Sequence, residues 1–186
     1  MRRASIWVAL ALLTAGALTA NAGGGQPSRE AIHEEDSYEL EDFCGKTGLT
    51  VEVAYVLDLH IKILQRGTTA APYFMQHGKL TEAITNLANG KFVTTASNVL
   101  EKDLGITDNG DGTVTILVLA TGNAVLYGAE GKAIARNPGQ TRFELDIHLR
   151  GTPSNPEDDV VLDQRIVRES TGRSDDFCAA ALQALS

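Results

Sequence analysis

From Leu49 to Ile63 the chain keeps a period-two pattern over an unusually long run. Leu49, Val51, Val53, Tyr55, Leu57, Leu59, Ile61 and Ile63 occupy one set of positions, with Thr50, Glu52, Ala54, Asp58, His60 and Lys62 between them. Successive side chains of a strand point to opposite faces, so a period of two demands an extended segment with one buried face. So long a run reads as one bent strand or two successive strands, and it commits the domain to a sheet.

Further strand signals follow at Leu80–Leu87, Phe92–Ser97, Leu104–Asp108, Thr113–Ala120, Ala124–Gly128, Lys132–Ala135 and Thr141–Arg150. Turn signals separate them: His77-Gly78, Asn89-Gly90, Asn109-Gly110, Thr121-Gly122, Glu130-Gly131 and Pro138-Gly139. Gly takes the positive φ that tight turns need, and Asn tolerates it. Thr141–Arg150 alternates cleanly, with Phe143, Leu145, Ile147 and Leu149 facing in. Thr113–Ala120 is apolar on both faces, which marks a central, covered strand. Residues 151–159 read as a loop, and Val160–Val167 as a further strand. Ser174 is placed to cap a short helix carrying Phe177, Cys178, Ala181, Leu182 and Leu185 on one side. The fold class expected is mainly β: an antiparallel sandwich or partly open barrel in meander order, with a short C-terminal helix.

The two ends read differently. Arg2 and Arg3, an apolar run from Ile6 to Leu18 and Ala20-Asn21-Ala22 make residues 1–22 a secretory signal peptide, cleaved before Gly23. The apolar run falls short of the ~20 residues a bilayer span needs. Residues 23–43 are glycine-rich, then acidic, with Glu30, Glu34, Glu35, Asp36, Glu39, Glu41 and Asp42; they read as a flexible leader. Residues 44–186 form a single β domain. In a secreted chain the two cysteines, Cys44 and Cys178, pair most simply with each other.

Charge narrows the partners. The formal net charge is −8, and loss of Arg2 and Arg3 with the leader peptide takes it to −10. With no basic stripe interleaved with aromatics along the chain, nucleic acid is a poor partner. No segment after the leader peptide can span a membrane, and no glycine-rich phosphate loop or other cofactor motif is present, so no cofactor is expected.

Two patterns carry candidate chemistry. In Ile106-Thr-Asp-Asn-Gly-Asp-Gly-Thr-Val-Thr115, placing Gly112 at the sixth position of a calcium loop puts Thr107 first and Val118 twelfth. The first ligand is weak and the bidentate acid is missing, while β-branched strand formers follow. A hairpin tip is the better reading. The second pattern is Asp-x-His, at Asp58 with His60 and at Asp146 with His148. Residues two apart share a strand face, so four ligands or a carboxylate-oriented base would assemble if the two strands lay side by side. Otherwise these are solvated positions on half-buried strands. No Gly-x-Ser-x-Gly signature supports a serine hydrolase.

Cys44-Gly45 ahead of a long amphipathic strand, Thr85-Asn-Leu-Ala-Asn-Gly-Lys91, Asp108-Asn-Gly-Asp-Gly-Thr113, Pro138-Gly-Gln140 and the late Asp176-Phe-Cys178 together resemble small secreted actinobacterial proteins of unknown function. The resemblance covers roughly residues 44–185 and implies secretion and the disulfide, but no reaction. The function expected is a non-enzymatic extracellular binding or envelope-associated module with an unidentified extracellular ligand or protein partner. The alternative is a secreted hydrolase or metal-binding protein using the Asp-x-His faces. A third class is a structural exoprotein that self-associates through sheet edges.

Overall fold

A computed structural model describes residues 28–64, 71–151 and 158–186. The expected signal peptide lies outside the described residues. Seven strands run in chain order: β1 Ser28–Leu40, β2 Val51–Leu64, β3 Tyr73–Asn86, β4 Phe92–Asp108, β5 Thr113–Tyr127, β6 Ala133–His148 and β7 Val160–Arg168, followed by helix α1 Phe177–Leu185. Each strand pairs antiparallel with the next, giving one sheet of order β1-β2-β3-β4-β5-β6-β7. The meander is as expected. All strands belong to this single open sheet, with β1 and β7 as its edges.

The acidic leader is corrected. Ser28–Leu40 is not a spacer but edge strand β1, in register with β2 from Ser28 opposite Ile63 to Leu40 opposite Val51. Its acids stay wet on an edge while its backbone completes a ladder, so composition hid a strand that owes little to burial.

Three turn signals also prove internal. Gly78, Gly122 and Gly139 lie within β3, β5 and β6 and stand in one cross-strand row through Val99. A Cβ on Gly122 would sit 2.5 Å from the Asn98 carbonyl oxygen, and one on Gly139 would sit 2.1 Å from Ser170 Oγ. Glycine is there for close approach rather than for turning. Pro138 survives in mid-strand because its nitrogen faces residues 171–175. On that side Thr171 N–H donates to the Gln140 carbonyl at 3.2 Å and Asp175 N–H to the Arg136 carbonyl at 3.3 Å. The chain beyond β7 thus continues along β6 and delivers α1.

The face carrying Val51, Val53 and Leu57, here the inner face, holds two apolar clusters at opposite ends. The first joins Val51, Val53, Ile84, Val93, Leu126 and Ala135 to Ala181 and Leu185 of α1. The second gathers Val114, Ile116, Val118, Phe143, Ile147 and Leu149 with Ala71. With nine residues, α1 is too short to be stable alone and depends on this docking. Its N-cap is Asp176, not Ser174: the carboxylate accepts from Ala179 N–H at 2.9 Å. At the other end Asn86 and Asn89 each donate to the Leu185 carbonyl, at 2.9 and 3.0 Å, satisfying an orphan acceptor. The disulfide Cys44–Cys178 ties the first turn of α1 to the turn before β2.

A half-buried carboxyl interrupts the inner face. Asp103, opposite Val118 where β4 bulges, accepts from Phe74 N–H at 2.7 Å. Burial pushes its pKa up from 3.8 to about 6, with Glu101 adding repulsion and the Phe74 amide opposing. The folded value exceeds the unfolded one, so Asp103 supports the fold most below the ordinary carboxyl range. That support is lost as pH rises through about 6. Asp103→Asn keeps an acceptor for Phe74 and removes the charge. At neutral pH it is expected to stabilise the protein by on the order of 2 kcal/mol, an advantage that shrinks toward pH ~4. Urea denaturation of both proteins at the two pH values checks this, and an equal gain at both would refute it.

Candidate functional site: the outer face of the sheet

The hairpin tip does structural work. Asp108 Oδ1 accepts from Gly110 N–H at 2.9 Å, and Asp111 Oδ1 accepts from Thr113 N–H at 3.0 Å and from its hydroxyl at 2.6 Å. Gly110 and Gly112 take φ of 78° and 84°. The Thr113 hydroxyl, helped by its amide, holds the Asp111 carboxyl below its ordinary range. These oxygens are committed to turn geometry, as the hairpin reading requires. The melting temperature is therefore expected to be the same in millimolar calcium and in chelator; a calcium-dependent rise would reverse this reading.

The Asp-x-His pairs do not meet. Strands β3, β4 and β5 stand between β2 and β6. Asp58 Oδ1 lies 2.7 Å from His33 Nδ1, whose Nε2 lies 3.2 Å from Glu35. Hydrogen bonding to Asp58, then to Glu35, raises the His33 pKa. His60 stands directly opposite His77, which bonds through Nε2 to Asn98 Oδ1 at 2.6 Å. Asp146 is held by Arg165 and by the Thr115 hydroxyl at 2.7 Å, which lowers its pKa, Arg165 first. His148 Nδ1 accepts from Arg150 N–H at 2.9 Å. Among the described residues no group of three or more His, Cys, Asp or Glu is arranged to hold a metal. Shallow hollows occur beside His148, Arg150, Val160 and Leu162, and beside Glu35, Tyr55 and Val56, without converging polar groups.

The register assembles something else. Since α1 and both apolar clusters lie on the inner face, the opposite face carries no apolar cluster among the described residues, although Val125 is buried there. Directly paired residues share a face. One unbroken row crosses all seven strands there: Arg29, Lys62, Met75, Lys102, Leu119, Arg142 and Arg168. The neighbouring row is Ala31, His60, His77, Leu100, Thr121 and Gln140. Neither contains an acid. On the other side Glu144 lies in the next row, bound to Arg165 at 2.7 Å.

Ion pairs among the described residues involve His33, Arg165 and Arg173, and none takes a cation from the seven-residue row. Arg142 Nε is shielded yet makes no hydrogen bond. Arg29 stands opposite Lys62 and Arg142 opposite Arg168, and like charges directly opposite one another oppose folding. In sequence this row is invisible: it takes at most one cation from each strand, and only the pairing register brings them together.

Compared with known protein families, curated proteins and solved structures, the chain matches none. Among the described residues no helix is long and apolar enough to cross a membrane.

Proposed function

We propose that this protein is an extracellular, non-enzymatic binding module, retained at a cell envelope through the outer face of its sheet. The observation that carries the reading is the division between the two faces. Both apolar clusters and α1 occupy the inner side, while long polar and cationic rows are presented on the other. The disulfide agrees with an oxidising compartment, and the N-terminal leader pattern agrees with export. Metal or hydrolytic chemistry on the Asp-x-His faces draws no support from pairs held three strands apart.

The test is retention. Purified protein is mixed with envelope fragments of the producing cells, sedimented, and compared with an Asn98→Trp/Asn123→Trp variant. These two residues are exposed and directly opposed on the outer face, so bulk is added there without charge. Wild type is expected to sediment with the envelope and the variant to stay in solution. Equal sedimentation of both, or none for wild type, rejects the reading.

A further inference from the structure

We infer that the row Arg29-Lys62-Met75-Lys102-Leu119-Arg142-Arg168 is a binding track for a linear acidic polysaccharide laid across the strands. The inference rests on the outer face being the binding face and names what that face takes.

Position comes first. Neighbouring strands lie ~4.8 Å apart, so the row extends for roughly 29 Å from β1 to β7. Lys62, Lys102 and Arg142 stand on alternate strands, which sets their charges roughly 10 Å apart along the track. A glycan with one carboxylate or sulfate on every second sugar repeats its charge at a comparable pitch. Arg29 beside Lys62 and Arg142 beside Arg168 double the charge at the two ends.

Charge comes second. The row gathers five of the chain's 16 Lys and Arg residues in a protein whose net charge is −8. Unpaired like charges set side by side oppose folding, and an anionic ligand relieves that repulsion. The acids nearest the row on this face are engaged by other side chains, Asp58 by His33 and Glu144 with Asp146 by Arg165.

The spacers discriminate among anions. Met75 and Leu119 are aliphatic, so the row offers no aromatic platform for stacking bases, which single-stranded nucleic acid binders use. Aliphatic side chains do pack against the apolar edges of sugar rings, while Arg and Lys meet their carboxylates or sulfates. His77, Thr121 and Gln140 in the next row supply hydrogen-bonding groups within reach of hydroxyls.

The probe is a fluorescently labelled hyaluronate oligosaccharide, followed by anisotropy at low and at near-physiological salt. Wild type is expected to bind, and more weakly as salt rises. Lys102→Glu/Arg142→Glu should weaken binding about ten-fold or more, while Lys132→Glu, in the β5–β6 turn, should change it by less than about two-fold. Circular dichroism and melting temperature establish that each variant is folded. Lys102→Gln/Arg142→Gln, which avoids new repulsion, should give an intermediate loss.

Absence of hyaluronate binding by wild type, or equal loss in the Lys132→Glu variant, overturns the inference. So does a thymidine oligonucleotide bound as tightly as hyaluronate, which would mark the row as a general polyanion site. Envelope sedimentation is run on the same variants. If hyaluronate fails but Asn98→Trp/Asn123→Trp still abolishes sedimentation, only the ligand class is wrong. If both fail, the binding-face reading falls with it.

Discussion

Replacing Cys44 and Cys178 together by alanine is expected to lower the unfolding free energy by about 5 kcal/mol. The bond joins positions 134 residues apart, so it removes a large loop-closure freedom from the unfolded chain. Its effect on the folded side is local. Cys178 is the second residue of α1, and Cys44 lies in the turn where Asp42 and Cys44 take positive φ and Gly48 N–H donates to Asp42 at 2.8 Å. Without the bond α1 keeps its apolar contacts and its Asn86 and Asn89 caps, so a folded but much weaker protein is the expected result. Urea denaturation of the oxidised protein, the reduced protein and the double variant measures the difference. A loss below about 1 kcal/mol would show that the unfolded chain is already restrained without the bond.

Leu185→Ala should cost about 3 kcal/mol, within the range of large-to-small changes at sealed core sites. Leu185 is fully buried at the end of α1, in one cluster with Val51, Val53, Ile84, Val93 and Leu126. Its carbonyl also receives the two asparagine amides, so a shift of the last turn would loosen those bonds too. Leu87→Ala is the control. That side chain is half exposed, and its loss should cost less than about 0.5 kcal/mol. Equal effects from the two substitutions would mean that α1 does not seal the cluster in solution.

Much of this architecture is legible in the residues. The alternation from Leu49 to Ile63 becomes β2 as one strand, and Asp108–Thr113 becomes the tip between β4 and β5. Both depend on local chemistry, side-chain period in one case and turn geometry in the other. What stays hidden depends on partners distant in sequence. β1 has too many acids to announce a buried face, and only β2 makes it a strand. Gly122 and Pro138-Gly139 look like breaks because glycine and proline usually break strands, whereas here Asn98, Ser170 and Gly172 press against them. The outer row is the extreme case. Arg29, Lys62, Lys102, Arg142 and Arg168 have no motif in common, and their alignment follows from seven strands held in one register.

Because order in space repeats order in sequence, the sheet can change width without rethreading. A hairpin gained or lost inside the meander would leave no strand crossing another. Each such change would lengthen or shorten the outer row by two positions, or roughly 10 Å. The number of strands therefore acts as a ruler for the ligand: the fold sets how long a segment it can grip, while the side chain at each row position sets how tightly.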